Sequence, residues 1–593
     1  MTSPWSRERT LRRDTRWARF SLVVLVISSL LTACATQPGA DGARSGNPEP
    51  QQRPAGAPKR IVWAMDQRVE GFTELFGGPA SGWRVPYLAL HDFLIVLDDG
   101  GEPHPRLVQE APSQQKGTWT VNPDGTMETT WKLRPGVTWH NGEPLRPEDF
   151  VFGWRVARDP GVPYNKRAVA AAIERIEVVD SSTMVFHWKN LYPFADRIQQ
   201  FDLDAFPSWN QSLIESFETN QAEFPNHPWL TREFVGLGPY RLTDWDPGNR
   251  FVMEPFSQWY GGRAKIDRIE VRFVGDDNTR LAGILAGDID VTLANGGGPA
   301  PEQWDTLTQQ YEQTGMGRLI KEQVGRLTYG TPKWSNPFFG GNDKASVRQA
   351  MTHALDRESL AELMVKDRGL VSHSWIQQGT PLYQAQGAKI VTYAYDPARA
   401  AQLFQESGWT RGSDGILQNA AGQKFQFPYM TGGSGVRAAQ VLQDDWKKVG
   451  VDMEIDVTSP QLSSNLEAQA SFAGIQGTGN AISFAFLDGR FHSRNIARAE
   501  NRWGGQNRSA YADPEADRLV EGLLTALDQT ERWNLEGDLA NLITRNAVFF
   551  WYYHPTAAST AKKAITGLKP SRATGHSGDL LLTWNIAEWD LTS

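Results

Sequence analysis

Cysteine is almost missing from this chain: Cys34 is the single one in 593 residues. That scarcity excludes a disulfide framework and any metal site built from cysteines. A membrane span is missing too, since the apolar run at residues 20–31 falls well short of the ~20 residues a helix needs to cross a bilayer. Basic residues do not exceed acidic ones, 60 against 68 for a net charge of −8, so nothing offers nucleic acid the basic face it requires. Catalytic signatures are equally scarce. There is no Gly-x-x-x-x-Gly-Lys-Ser/Thr phosphate loop and no His-Glu-x-x-His zinc helix. Gly432-Gly-Ser434-Gly435 misses the nucleophile-elbow spacing by one residue, and Gly474-Ile-Gln-Gly477-Thr-Gly479 reverses the dinucleotide fingerprint. The ten histidines are scattered without a close ligand pair. No cofactor and no metal are expected, and no catalytic residues; abundant acidic side chains leave a glycosidase-like extracellular hydrolase open as an alternative.

What is present describes an exported globular protein. A composition of 40% hydrophobic and 22% charged residues, with 55 Gly and 35 Pro, belongs to a folded chain with many turns, and the length exceeds what one core serves. The 23 tryptophans mostly fill cores, with a remainder available to line a pocket. Six arginines (Arg7, Arg9, Arg12, Arg13, Arg16, Arg19) precede the short apolar run, which is the pattern of an export signal with a generic basic start. Leu31-Thr-Ala-Cys34 resembles a lipobox, so residues 1–33 are read as a lipoprotein signal peptide and Cys34 as the lipidated residue. Residues 34–58, rich in Gly, Pro, Gln and Ala, read as a flexible tether. Loss of residues 1–33 leaves 54 basic and 66 acidic residues, a net charge of −12.

The densest pattern is residues 130–154, TWKLRPGVTWHNGEPLRPEDFVFGW. Alternation through Trp131 and Leu133 meets Pro135-Gly136; Val137 and Trp139 resume it up to an Asn141-Gly142 turn, and Pro147 opens a helix with Glu148 and Asp149 in its first turn. Residues 60–65 predict a buried first strand, 173–188 a hairpin about Asp180-Ser-Ser182, and 269–273 another strand. Val347, Ala350, Met351, Ala354 and Leu355 make a helical stripe. Asp396-Pro397 and Asp513-Pro514 each supply an N-cap and a first-position proline, and Gly408 a stop. Residues 548–554 predict a buried aromatic strand.

These segments carry a resemblance. Residues 130–154, Gly236-Leu-Gly-Pro-Tyr-Arg-Leu-Thr-Asp-Trp245, Trp259-Tyr-Gly-Gly262, Leu281-Ala-Gly-Ile-Leu-Ala-Gly-Asp-Ile-Asp290, the VRQAMTHALDRESL run and the Asp396-Pro397 helix resemble, in order, the motifs of bacterial extracellular solute-binding proteins of family 5. That family comprises peptide receptors of ATP-driven importers. The resemblance implies an α/β fold, a two-lobed periplasmic-binding-protein-like clamshell of type II with an extra subdomain on lobe one. It implies lobe one over 59–326 and 556–593, and lobe two over 327–555. The implied function is capture of a small solute, a peptide first of all, between the lobes and its delivery to the membrane subunits of an ABC permease. The implied location is outside the cytoplasm, anchored to the bilayer through Cys34, as a monomer. Candidate ligand-binding residues are Trp83, Tyr164, Tyr329, Tyr553, Trp503 and the group Gln476, Thr478 and Asn480.

One departure stands out. Oligopeptide receptors resembling this chain hold the ligand's amino terminus with a carboxylate on the loop matching residues 474–486, and here no acidic residue precedes Asp488. Either Asp488 or another acid reaches in, or the ligand is not a free-amine peptide, because an unpaired ammonium is costly to desolvate. A surface interaction lipoprotein that kept the fold without transport is a further alternative.

Overall fold

The computed structural model describes residues 57–592 apart from 70, 73–84, 100–101, 163–167, 199–207, 222, 295, 460–461, 463–464 and 570–581. The expected signal peptide, Cys34, nearly all of the tether, Trp83 and Tyr164 lie outside the described residues.

Two sheets organise the chain. In the seven-stranded one, Arg60–Met65 runs parallel to Arg268–Phe273 and Val291–Thr292. Arg250–Pro255 and Tyr240–Asp246 extend one side, and Thr556–Lys562 and Gly317–Gln323 the other. The five-stranded sheet runs Asp452–Val457, Gln426–Thr431, Ile475–Ala481, Arg326–Pro332, Phe550–Tyr553. The chain passes between them twice, from Gly317–Gln323 into Arg326–Pro332 and from Phe550–Tyr553 into Thr556–Lys562. Each passage takes two residues, too short for either sheet to move far from the other at that edge. Away from the passages the halves touch where the Phe194 ring packs on Phe484, centroids 4.4 Å apart. They touch again in an exposed Arg437–Glu302 ion pair at 2.6 Å, a kind of contact worth at most about 1 kcal/mol.

A third, four-stranded sheet of Trp119–Val121, Met127–Lys132, Thr183–Trp188 and Ile173–Asp180 carries the motif-dense segment. The Asn141-Gly142 turn forms with Gly142 at φ 88, but its arms join only through an isolated Thr138–Pro144 bridge, not two full strands. The helix Pro147–Arg158 starts at the proline as expected, and Asp149 reaches back to the Arg146 N–H at 2.9 Å. That carboxylate also accepts from Trp139 Nε1 at 3.0 Å and Gln211 N at 3.1 Å, so the turn, the helix and the chain beyond it share one buried acceptor.

His140 explains why this turn and the distant Gly-Leu-Gly-Pro-Tyr segment belong together. Its backbone N–H donates to Gly236 O at 2.9 Å, its Nδ1 accepts from Gly236 N at 3.2 Å, and its Nε2 lies 3.0 Å from Gly238 O. A neutral ring protonated on Nε2 satisfies all three. Gly236 and Gly238 must lack side chains, since a Cβ there would sit 2.0 Å from Leu90 O and 2.5 Å from Ala89 O.

Most of the tryptophan surplus is core. Trp63, Trp131, Trp139, Trp188, Trp304, Trp375, Trp446 and Trp589 are each under 2% exposed. They are spread over separate clusters: Trp63 and Trp589 pack with the seven-stranded sheet, Trp131, Trp139 and Trp188 with the four-stranded one, and Trp446 and Trp375 on opposite faces of the five-stranded one. Truncating such a side chain to alanine costs about 3–5 kcal/mol. Helix starts follow the capping expectations: Asp396 Oδ1 accepts from Arg399 N at 2.9 Å, Asp513 Oδ1 from Glu515 N at 2.9 Å, and Gly408 stops its helix at φ 84.

Candidate functional site

Four candidate residues of the second half, Tyr329, Gln476, Thr478 and Asn480, meet on one face of the five-stranded sheet. Strand Ile475–Ala481 pairs antiparallel with Arg326–Pro332, setting Asn480 opposite Leu327, Thr478 opposite Tyr329 and Gln476 opposite Thr331. Directly opposed residues share a face, so Gln476, Thr478, Asn480 and Tyr329 point the same way. The strand's glycines occupy the other face, where a Cβ on Gly477 would meet Tyr429 Oη at 2.4 Å. Gly474 enters the strand so close to its neighbour that a Cβ would lie 2.0 Å from Pro428 O. Close packing thus explains Gly477 on one face and hydrogen bonding the polar side chains on the other, whereas Gly479 meets only ordinary contacts.

Asn480 is the centre of that polar face. Its Oδ1 accepts from Tyr329 Oη at 2.8 Å, from Arg490 Nη2 at 3.1 Å and, at the limit, from Thr478 Oγ1 at 3.5 Å. Arg490, 5% exposed, comes from helix Phe484–Phe491, capped by Ser483 Oγ on the Phe486 N–H, and also donates to Gln506 O at 2.7 Å. Further along, Gln469 Oε1 accepts from Gln476 Nε2 at 2.8 Å and from Arg508 Nη1 at 3.0 Å. Lys333 Nζ donates to Ala470 O at 2.7 Å and Arg508 O at 2.9 Å. Burial pushes the Arg508 guanidinium and the Lys333 ammonium below their ordinary range, and the Arg490 charge adds to the effect on Arg508. Burial raises the Tyr329 hydroxyl, against the pull of Arg490 and Arg508.

The other candidates are placed differently. The Tyr329 ring is core, stacked on Phe549 at 5.1 Å and 13°, and only its hydroxyl reaches the polar face. Tyr553 is buried in the adjoining strand, opposite Thr328 and bridged to Val371. Trp503 is half-buried in a turn with Arg502, both at positive φ, and its N–H donates to Arg498 O. The same loop returns to the sheet as Arg508. Asp488 is occupied by Arg494 at 2.5 Å. Arg490, Arg508 and Gln469 were missed in the sequence, though one signal was there: an arginine in the largely apolar run SFAFLDGRF, beside its one acid, Asp488.

A cavity of ≈ 710 Å³ lies elsewhere in the same half, lined among others by Asp356, Arg357, Arg368, His373 and Tyr393 and by none of the candidate residues. Among the described residues no group of three or more His, Cys, Asp or Glu could hold a metal ion, and no helix is long and apolar enough to cross a membrane.

Comparison with known proteins agrees with this architecture. The profile for "Bacterial extracellular solute-binding proteins, family 5 Middle" matches residues 104–497. The oligopeptide-binding protein AppA of Bacillus subtilis is 23% identical over 98% of this chain and 99% of its own. The heme-binding protein A of Haemophilus influenzae is 24% identical over 76% and 80%. In three dimensions AppA in complex with a nonapeptide superposes with a TM-score of 0.66 at 20% identity, covering 90% of this chain and all of that one. NikA from Brucella suis in complex with Fe(III)-EDTA does so with 0.69 at 18%, over 90% and 100%. The fold is thus the two-lobed mixed α/β fold of these proteins, and the chain belongs to the bacterial extracellular solute-binding proteins of family 5.

Proposed function

We propose that this chain is the solute-capturing component of an ATP-driven importer, anchored through lipid on Cys34 and closing its two lobes on a peptide or similar small solute before handing it to the permease. The observation that carries the reading is the polar face centred on Asn480, placed opposite Leu327 beside the passage between the sheets. A ligand there is held where rotation of one lobe on the other encloses it, and an enclosed ligand is what a permease can sense as a change of shape. Lobe one is then 59–326 with 556–593 and lobe two 327–555, with Gln476, Thr478, Asn480 and the Tyr329 hydroxyl on the ligand side of lobe two. Trp83, Tyr164, Trp503 and Tyr553 remain candidates for the walls. The relatives include receptors named for oligopeptides and for heme, so the solute class is broad.

Native mass spectrometry of the purified protein with libraries of short peptides and other small solutes is the direct check: a bound species and a more compact ion are expected, and no binding across the libraries contradicts the proposal. Anchoring has its own outcome. Cys34→Ala is expected to shift the protein from the membrane to the soluble fraction, and continued membrane association rules out lipid on Cys34 as the anchor.

A further inference from the structure

We infer that Phe194 and Phe484 form an aromatic latch that holds the four-stranded sheet against the five-stranded one and sets how readily the two halves part. This rests on the proposed closing of the lobes.

The contact is built up from both sides. Trp188 ends its strand in the four-stranded sheet, Tyr192 stacks on it with centroids 4.9 Å apart at 9°, and Phe194 meets Tyr192 edge-on at 6.1 Å. Phe194 is 8% exposed, yet it stands outside the hydrophobic core of its own sheet. Its ring lies 4.4 Å from that of Phe484, which packs in turn on the core shared by Tyr329, Phe486 and Trp551. The rings form an unbroken series from one core to the other. Arg532 reinforces it: 7% exposed, it donates to Ala526 O at 2.9 Å and Leu527 O at 2.6 Å while its guanidinium lies 5.5 Å from the Phe194 ring centre. Leu527, at the corner those bonds hold, packs against the core of the four-stranded sheet.

The latch stands at the edge that must open. Gln426–Thr431, Asp452–Val457 and Ile475–Ala481 run parallel, and Ala481 lies opposite Arg326, the first residue of the strand that follows the passage. Phe484 therefore follows the carboxyl end of a parallel strand, the edge at which open α/β sheets place ligands. It also opens the helix Phe484–Phe491, whose Arg490 donates to Asn480, so a solute at the Asn480 face and the latch act on the same short helix. Parting the halves would expose apolar rings on both sides to water. An aromatic pair weights a two-state balance by roughly threefold to tenfold beyond its burial. The exposed Arg437–Glu302 pair, screened by water and salt, adds little.

The test reads opening directly on the purified protein and uses no solute. In a Cys34→Ala background, Val179→Cys on the four-stranded sheet and Glu362→Cys on the helix Arg357–Val365 carry spin labels at exposed positions, and pulsed electron–electron resonance measures their separation. Phe194→Ala and Phe484→Ala are each expected to shift the balance toward longer separations by about threefold or more. Their double variant is expected to do little more than the larger single one, because both remove one contact. Phe194→Leu, which keeps an apolar side chain, is expected to restore part of the balance. Unfolding midpoints near the parent's mark the shift as a change of arrangement, and having one variant on each side keeps the test open if the other folds poorly. Unchanged separations in the double variant, or single shifts that add in full, overturn the latch. A library titration that finds no bound species bears on the receptor reading alone, since the separations are read without solute.

Discussion

Gly236→Ala is expected to cost the folded protein at least ~4 kcal/mol, beyond the ordinary range for a single substitution, and to leave little of it soluble. The added Cβ would lie 2.0 Å from Leu90 O and 2.7 Å from Phe234 Cε1, and the first of these is backbone that cannot swing aside. Moving Gly236 away would break its two bonds to His140 and disturb Gly238, whose N–H donates to Leu90 O at 3.1 Å. The turn at residues 139–143 would lose its hold on the 236–238 segment. Gly432→Ala is the matched control, because Gly432 has φ −77 and nothing within 4 Å of a Cβ; it is expected to be neutral or slightly stabilising. Urea unfolding of the two variants side by side checks both, and a Gly236→Ala midpoint within error of the parent's would refute the close-approach argument.

Acid is expected to unfold this protein steeply between pH 6.5 and 4. Burial lowers the imidazoles of His140, His373 and His554 to about 4 and that of His91 to about 3, with the charges of neighbouring groups adding at His91, His140 and His373. Each is less ready to take a proton folded than unfolded, so its contribution is complete above pH 6.5 and is lost as the pH falls through the folded value. A difference of this size is worth about 3 kcal/mol per group at its limit. Asp149 works against this trend. Burial pushes it up to about 6 despite three N–H donors, so its contribution is present below its ordinary value and lost as the pH rises through about 6. With four imidazoles against one carboxylate, the net loss from pH 7 to 4 is expected to be on the order of 5 kcal/mol or more. Urea midpoints at pH 7, 5.5 and 4 measure it, and a flat profile would show that these histidines are not kept neutral in the fold.

Much of the fold was legible because its signals are local. Proline after aspartate at 396–397 and 513–514 marks helix starts whatever surrounds it, and the alternation around Asp180-Ser-Ser182 became the paired strands Ile173–Asp180 and Thr183–Trp188. The pairing of His140 with Gly236 and Gly238 was not legible, since it joins residues 96 and 98 positions apart. The same holds for the site. Placing Gln476, Thr478 and Asn480 together needed only the two-residue period of a strand. Finding Arg490 and Arg508 beside them needed the helix and loop that fold back over the sheet, and a charge inside an apolar run says that it is buried without saying what it faces. Tyr329 shows the opposite limit: its hydroxyl lies beside Asn480 while its ring is core.

The place of Thr556–Lys562 has a consequence for how the chain assembles. It lies between Val291–Thr292 and Gly317–Gln323 in the larger sheet, yet it is made after every strand of the smaller sheet. A growing chain therefore emerges with two strands of the larger sheet facing an empty slot, their edges open to wrong partners, for as long as it takes to synthesise more than two hundred further residues. The smaller sheet, drawn from one continuous stretch, meets no such wait. Export in an unfolded state, with folding only after release, would remove this difference in timing between the sheets, and a delayed last strand is the point at which a holding chaperone would have the most to protect.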